Sequence, residues 1–437
     1  MRIASLGARF ARTAERVIPD PLAIAVGLFV VALALAVIRL GLEAAIATVL
    51  RGMLEPSLLA FGFQMALILV GGHALAEARA VRRALAWVAS LPRTTSQAAA
   101  LVALSSTVLG LLNWGLGLVG GALLAREVRV SFAKRGAPLS VSLVSAAGFM
   151  GLLVWHGGLS GSAPLKVASA GSFGDAIPVS STIFSPMNVV ITLALLVALP
   201  ALFFALGASS EDERVPEPVE AADDVAPTEG VASRALAIVL ALPLFASIAL
   251  SVVERGPAAV TLDFVILLFF AAGLVLHGGV LSYQRAFTSG VESATGVLLQ
   301  FPIYFAVLAL VQASGALTSL ATAMVAASHH LPLAVDDAAA LLTFYSAAII
   351  NVLVPSGGGQ WVLQSPVMLE TATTLDVARA KLVMAFAYGD ELTNMLQPFW
   401  ALPLLAITGQ RAGQVMGYTV LAMLVALPIM SIGIVLF

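Results

Sequence analysis

Along most of this chain the polar residues are too sparse to make an amphipathic pattern, and the apolar residues run together. Runs of bilayer-crossing length recur near 21–40, 57–76, 139–164, 184–206, 234–253, 261–280, 295–313, 382–407 and 413–436. An α-helix needs about 20 mostly apolar residues to cross the hydrocarbon core of a membrane. Two further stretches, 96–125 and 338–369, are longer, and each is broken in the middle, by "NWGLGLVGG" and by "VPSGGGQW". Neither suits one straight helix, and both are predicted to be re-entrant helical hairpins.

One segment departs from the pattern. "ASSEDERVPEPVEAADDVAPTEG" (208–230) is acidic and proline-rich, with almost no bulky apolar side chains, so it cannot build a core. It reads as a linker between 1–207 and 231–437. The flanking halves look alike at an offset of roughly 240 residues. "LLAFGFQMALILVGGHAL" (58–75) answers "LLQFPIYFAVLALVQASGAL" (298–317), and Asn113 and Asn351 stand at equivalent places before a glycine-rich break. "VWHGGLSGSAPL" (154–165) answers "AYGDELTNMLQPFWALP" (387–403), each a polar interruption followed by proline and renewed hydrophobicity. Because one additional span (234–253) precedes the second repeat, the repeats run in opposite directions. The expected fold is an all-α integral membrane protein of two inverted repeats, each with a re-entrant hairpin and a broken transmembrane helix, with about nine spans plus two hairpins.

Charge orients this arrangement. With the N-terminus in the cytoplasm and both hairpins returning to the side they entered, sixteen of the 22 lysines and arginines fall inside and six outside, as the positive-inside rule requires. Making 96–125 a full span would put Arg126, Arg129, Lys134 and Arg135 outside. The first 20 residues carry Arg2, Arg9, Arg12 and Arg16 at helical spacing without a cleavage-site pattern. They read as a retained segment, either an amphipathic helix on the membrane surface or a simple extension that fixes orientation. Composition agrees: 60% hydrophobic, 11% charged and a net charge of −2, with no basic groove for nucleic acid. Cysteine is absent, which removes disulfides and thiolate metal sites.

Irregular backbone at membrane depth survives only where protein or a water-filled cavity satisfies it. Pro355, Ser356, Gly357, Gly358, Gly359 and Gln360 mark such a place after Asn351, and Asn113, Trp114, Gly115 and Gly117 mark its repeat mate. The competing reading for the glycines is close helix packing. A phosphate loop is excluded, since no Lys-Ser/Thr follows them. At the two breaks, Ser160 and Ser162 in one, and Asn394 and Gln397 in the other, add neutral donors and acceptors for a substrate. Broken helices expose carbonyls that suit a cation and amides that suit a carboxylate. Asp390 and Glu391 are adjacent acids inside an apolar span, expensive enough there to imply proton carriage or cation binding; the alternative is a shallower, wet position. His156 and Thr393 complete the ion-coupling candidates, with His156 alternatively a hydrogen-bonded structural group. A Na+ site at the hairpin tips is the only metal expectation. Asp263, His277 and Glu292 lie near span ends and read as interfacial. No lysine or arginine stands convincingly at midplane depth, so an anion would be held by amides and hydroxyls, favouring a small monocarboxylate.

"IPDPLAIA", "NWGLGLVGGALLAREV", "HGGLSGSAPL", "NVLVPSGGGQWVLQSP" and "AYGDELTNMLQPFWALPLLAI" together resemble the bacterial short-chain fatty acid transporter family, permeases associated with acetoacetate and butyrate uptake. The resemblance covers nearly the whole chain and implies uptake of short-chain fatty acid anions driven by a cation gradient, H+ or Na+. It also implies an elevator-like motion, an inner-membrane location and a homodimer, and no cofactor. It carries the first hairpin tip onto Asn113, Trp114 and Gly115, the second onto Asn351 and Pro355 to Gly359, and the second break onto Gly389, Asn394, Gln397 and Pro398. The rival expectations are a cation-coupled carrier of another small carboxylate such as a dicarboxylate, and a carboxylate-permeable channel. A membrane-embedded enzyme is disfavoured because no paired-histidine spacing sits in any span.

Overall fold

The computed structural model describes residues 21–168, 175–208, 213–214, 230–259, 262–315, 319, 323, 327–330, 332–353 and 357–437. The basic segment 1–20, most of the acidic linker, and Pro355 and Ser356 lie outside the described residues. Nearly everything described is helical. The exception is a two-residue antiparallel ladder in which Pro138–Leu139 (β1) pairs with Glu213–Arg214 (β2) at the edge of the linker.

The first half runs α1 (Pro21–Leu40), α2 (Leu42–Met53), α3 (Pro56–Glu77), α4 (Arg79–Ser90), α5 (Thr95–Leu112), α6 (Trp114–Lys134), α7 (Val141–Ala147), α8 (Ser162–Val167) and α9 (Pro186–Gly207). After the linker come α10 (Val231–Arg255), α11 (Leu262–His277), α12 (Val280–Ala313), α13 (Val335–Leu353), α14 (Gly357–Leu375), α15 (Arg379–Thr393), α16 (Pro398–Thr408) and α17 (Ala412–Leu436). Each half thus contains a helical pair (α5–α6, α13–α14), then an interrupted segment (α7 to α8, α15 to α16), then a long apolar helix (α9, α17). The correspondence is reciprocal in space: α6 packs on α16, α14 on α8, and α9 on α17.

Both helical pairs are antiparallel hairpins. In the first, a Cβ on Gly117 would lie 2.6 Å from the Gly110 Cα, and a Cβ on Gly121 2.7 Å from the Ser106 Oγ. Those pairings are symmetric about Asn113. In the second, Gln360 Nε2 donates to the Ala347 carbonyl at 2.8 Å and Gln364 Nε2 to Ser346 Oγ at 3.3 Å. The arms extend beyond the expected 96–125 and 338–369 because capping residues set their ends: Thr94 Oγ1 accepts the Gln97 N–H at 3.3 Å, starting α5.

Seven helices among the described residues are long and apolar enough to cross a bilayer, and eight if a bent pair is counted as one span. The difference from about nine has local causes. The run 57–76 joins α2 to form the bent pair, at an angle of 51°; 261–280 contains the 16-residue α11; and 382–407 divides into α15 and α16. The run 139–164 is mostly not helix: after seven residues of α7 it proceeds through short 3-10 turns, Met150–Leu153 and Trp155–Gly157. Conversely α5 and α13, hairpin arms, are among those seven, though less apolar than the other five. On α1, α9 and α10 the outward residues Ile38, Val197 and Val239 are exposed, the surface expected against lipid.

Candidate functional site

The unwound segment after α7 needs partners for its backbone, since a bilayer supplies none. Hairpin one provides several. Ser106 Oγ accepts the Gly151 N–H at 2.9 Å and donates to the Gly148 carbonyl at 2.7 Å, and Leu159 N–H donates to the Leu111 carbonyl at 2.7 Å. Asn188 on α9 adds a donation from Nδ2 to the Gly157 carbonyl at 2.8 Å, while its Oδ1 accepts from Tyr388 Oη at 3.0 Å. Glycine is required where these chains meet. A Cβ on Gly110 would stand 2.4 Å from the Gly151 oxygen, and one on Gly121 2.2 Å from the Gly148 oxygen.

The acid pair of α15 completes the arrangement from the other half. Both carboxylates engage one residue: Glu391 Oε2 accepts the His156 backbone N–H at 2.8 Å, and Asp390 Oδ2 accepts from His156 Nδ1 at 2.9 Å. His156 Nε2 accepts the Ala163 N–H at 3.1 Å, which assigns the ring proton to Nδ1. His156 is fully buried and Asp390 and Glu391 are each 1% exposed. Neither acid is at a wet position, and both face the first half, although neighbours on a helix point about 100° apart. Glu391 reaches backbone where Asp390 reaches a ring.

The hairpin tips differ. At the first, Asn113 caps α6, its Oδ1 accepting the N–H of Gly115 at 2.9 Å and of Leu116 at 3.3 Å, while Ser160 Oγ accepts the Trp114 N–H at 3.0 Å. The first-turn amides of α6 are therefore occupied by protein. At the second, the described part of α14 runs from Gly357. A Cβ on Gly357 would lie 3.1 Å from His156 Cε1 and 3.2 Å from Asp390 Oδ2, so this tip sits directly on the His156–Asp390 pair. Asn351 is fully buried at the end of α13. Its Nδ2 donates to the Asp390 carbonyl at 2.6 Å, with Thr393 Oγ1 and Asn394 Oδ1 each at 3.1 Å, and its own carbonyl accepts from Gln397 Nε2. Thr393 Oγ1 donates to the Ala348 carbonyl at 2.8 Å, clamping α15 to the hairpin.

Between the tips lies a cavity of about 80 Å³ lined by Trp114, Leu152, Trp155, Ser162, Gly357, Gly358, Asn394 and Trp400. Trp114 packs edge-on against Trp155 and Trp400, with ring centroids 6.5 and 5.3 Å apart. The lining combines three indoles and a leucine with a serine, an asparagine and the backbone of Gly357 and Gly358.

Of the residues expected to bind substrate, Trp114, Ser162, Gly357, Gly358 and Asn394 line this cavity. Asn113, Ser160, Asn351 and Gln397 form the shell that holds its walls. Gly115 and Gly117 pack between helices, Gly115 within 3.5 Å of Ile68 and Gly117 against Gly110, and Gln360 closes the second hairpin. Gly359 lies within α14. His277 caps a loop end through the Ala74 carbonyl, and Asp263 accepts from Gln64 on the exposed surface. Trp155, Trp400 and Leu152 were not anticipated. A signal existed: four of the five tryptophans in the chain, Trp114, Trp155, Trp361 and Trp400, stand at tips or breaks. Lys166, which the charge count puts on the outer side, is exposed and has its Nζ 3.8 Å from where a Cβ on the cavity-lining Gly358 would be.

Two hairpin tips around a small cavity, among helices long and apolar enough to cross a bilayer, define a membrane transporter. The chain belongs to the short chain fatty acid transporter family, whose model matches residues 2–437. It is similar to an Escherichia coli (strain K12) protein named "Putative short-chain fatty acid transporter", 39% identical over 396 residues and covering 87% of this chain and 88% of that one. A Haemophilus influenzae protein of the same name is 35% identical over 402 residues, covering 86% and 87%. Among solved structures it resembles Neisseria gonorrhoeae MtrF, described with a class of antimetabolite efflux pumps, at TM-score 0.47 and 14% identity over 97% of each chain. It also resembles the Alcanivorax borkumensis YdaH transporter, described as having an unusual topology, at TM-score 0.48 and 15% identity over 96% of this chain and 97% of that one.

Proposed function

We propose that this protein imports short-chain monocarboxylates such as butyrate and acetoacetate by symport with a cation, through elevator-type alternating access of inverted repeats in a bacterial inner membrane, its N-terminus cytoplasmic. The observation that carries the reading is the mixed lining of the cavity: the indoles of Trp114, Trp155 and Trp400 suit a short alkyl chain, and the hydroxyl of Ser162, the amide of Asn394 and the backbone at Gly357 and Gly358 suit a carboxylate. The cation acts at the adjoining polar cluster. There Asp390 Oδ1, Asn351 Oδ1 and Gln397 Oε1 are buried acceptors without a hydrogen-bond donor among the described residues, oxygens of the type that hold a proton or a hard cation. Asp390 supplies the charge that the cation balances, and its contact with Gly357 links cation occupancy to the tip that binds substrate.

Radiolabelled butyrate uptake into proteoliposomes, under pH and sodium gradients imposed separately, tests this. Wild type accumulates butyrate saturably under one of the gradients. Asp390→Asn loses gradient-driven accumulation by at least tenfold while retaining butyrate exchange at equilibrium. Accumulation under neither gradient would sink the symport reading, and unsaturable flux would favour a channel.

A further inference from the structure

The cavity lacks a formal positive charge among the eight residues that line it, yet an ammonium stands beside it. A Cβ built on Gly358 meets a single heavy atom within 4 Å among the described residues, the Nζ of Lys166. Lys166 lies four residues beyond the cavity-lining Ser162 on α8, and residues four apart share a helix face. Ala163, Pro164 and Val167 of the same helix are buried, whereas Lys166 is exposed, so α8 is anchored by its apolar side and presents its amine at the cavity mouth. The contrast with Lys381 is informative. Lys381 is buried and neutralised, its Nζ 2.5 Å from Asp337 and 3.7 Å from Asp336. Among the described residues Lys166 has no carboxylate partner, and its charge stands beside the cavity-lining Gly358.

We propose that Lys166 receives the substrate carboxylate at the mouth of the cavity, beside Gly358, and so selects the anion over neutral molecules of the same shape. This deepens the monocarboxylate reading and rests on it. A lysine donates up to three hydrogen bonds from a flexible stem, which allows it to follow a carboxylate from the opening to the backbone at Gly357 and Gly358.

The test uses full-length protein in proteoliposomes and compares wild type, Lys166→Arg and Lys166→Gln in butyrate counterflow, with butyramide as a neutral competitor of nearly equal size. Expected is a rise of at least tenfold in the KM for butyrate in Lys166→Gln with maximal rate little changed, and a loss of the preference for butyrate over butyramide by a similar factor. Lys166→Arg, which keeps the charge, stays within about threefold of wild type and controls for insertion and folding. A Lys166→Gln protein with wild-type KM and wild-type preference overturns the assignment, as does a Lys166→Arg protein that folds and behaves like Lys166→Gln. A wild-type protein that shows no butyrate counterflow would instead overturn the substrate reading, so the two failures are separable.

Discussion

The two hairpins occupy equivalent places in the two halves, yet they are closed by different chemistry. Hairpin one is held backbone to backbone: Gly110, Gly117 and Gly121 let α5, α6 and the unwound 148–151 chain approach more closely than any side chain would allow, and Asn113 and Ser160 take up the amides of its tip. Hairpin two is held by glutamine side chains, Gln360 and Gln364, reaching across to α13, and its glycines face the cavity and the His156–Asp390 pair. The same residue type thus serves opposite ends. In the first hairpin glycine removes space; in the second it leaves space open. The proposed transport role accordingly falls on the second tip, with the first as its fixed counterpart.

This contrast is open to direct attack. The largest effect is expected at Gly121, where a methyl would press on the Gly148 carbonyl, backbone on which Ser106 depends. Gly121→Ala should destabilise the protein by about 3 kcal/mol, near the upper end of typical overpacking costs, seen as a drop in thermal unfolding temperature and loss of a monodisperse peak in detergent. Next is Asn113→Ala, which deletes the cap of α6 and should cost about 1–2 kcal/mol; Asn113→Ser, retaining an acceptor, should recover most of it. The smallest effect on stability, and the most diagnostic, belongs to Gly358→Ala. Alanine there meets only Lys166 Nζ at 3.8 Å, and Gly-to-Ala replacement in a helix is favourable by up to about 1 kcal/mol. The variant should be as stable as wild type or slightly more so, yet take up butyrate several-fold more slowly. A Gly358→Ala protein that unfolds early while transporting normally would reverse the roles assigned to the two tips.

Much of this was legible before the structure. Glycine-rich breaks inside apolar runs, with a proline in the second, announced both hairpins, because such residues are tolerated at that depth only where backbone leaves the helix. Adjacent acids in a span pointed to a buried polar contact, and both acids engage His156. What remained hidden depends on distant partners. The run 139–164 looks like a helix because its residues are apolar, but Ser106, Asn188 and Glu391 supply its hydrogen bonds from three separate elements. Gly115 and Gly117 read equally well as ligand-contacting or packing residues, and only the proximity of Gly110 and Ile68 decides for packing. The nearness of Lys166 to Gly358 could not be read from the chain, since α8 is a six-residue helix too short to have a recognisable period and its partner is nearly 200 residues away.

The clustering of indoles has a practical consequence. Trp114, Trp155 and Trp400 form the cavity wall and Trp361 sits one turn into α14, while Trp87 alone is remote and largely exposed. With Trp87→Phe, all intrinsic fluorescence would originate at the tips and breaks, so that a carboxylate entering the cavity reports its own arrival as a change in emission, without label, gradient or liposome.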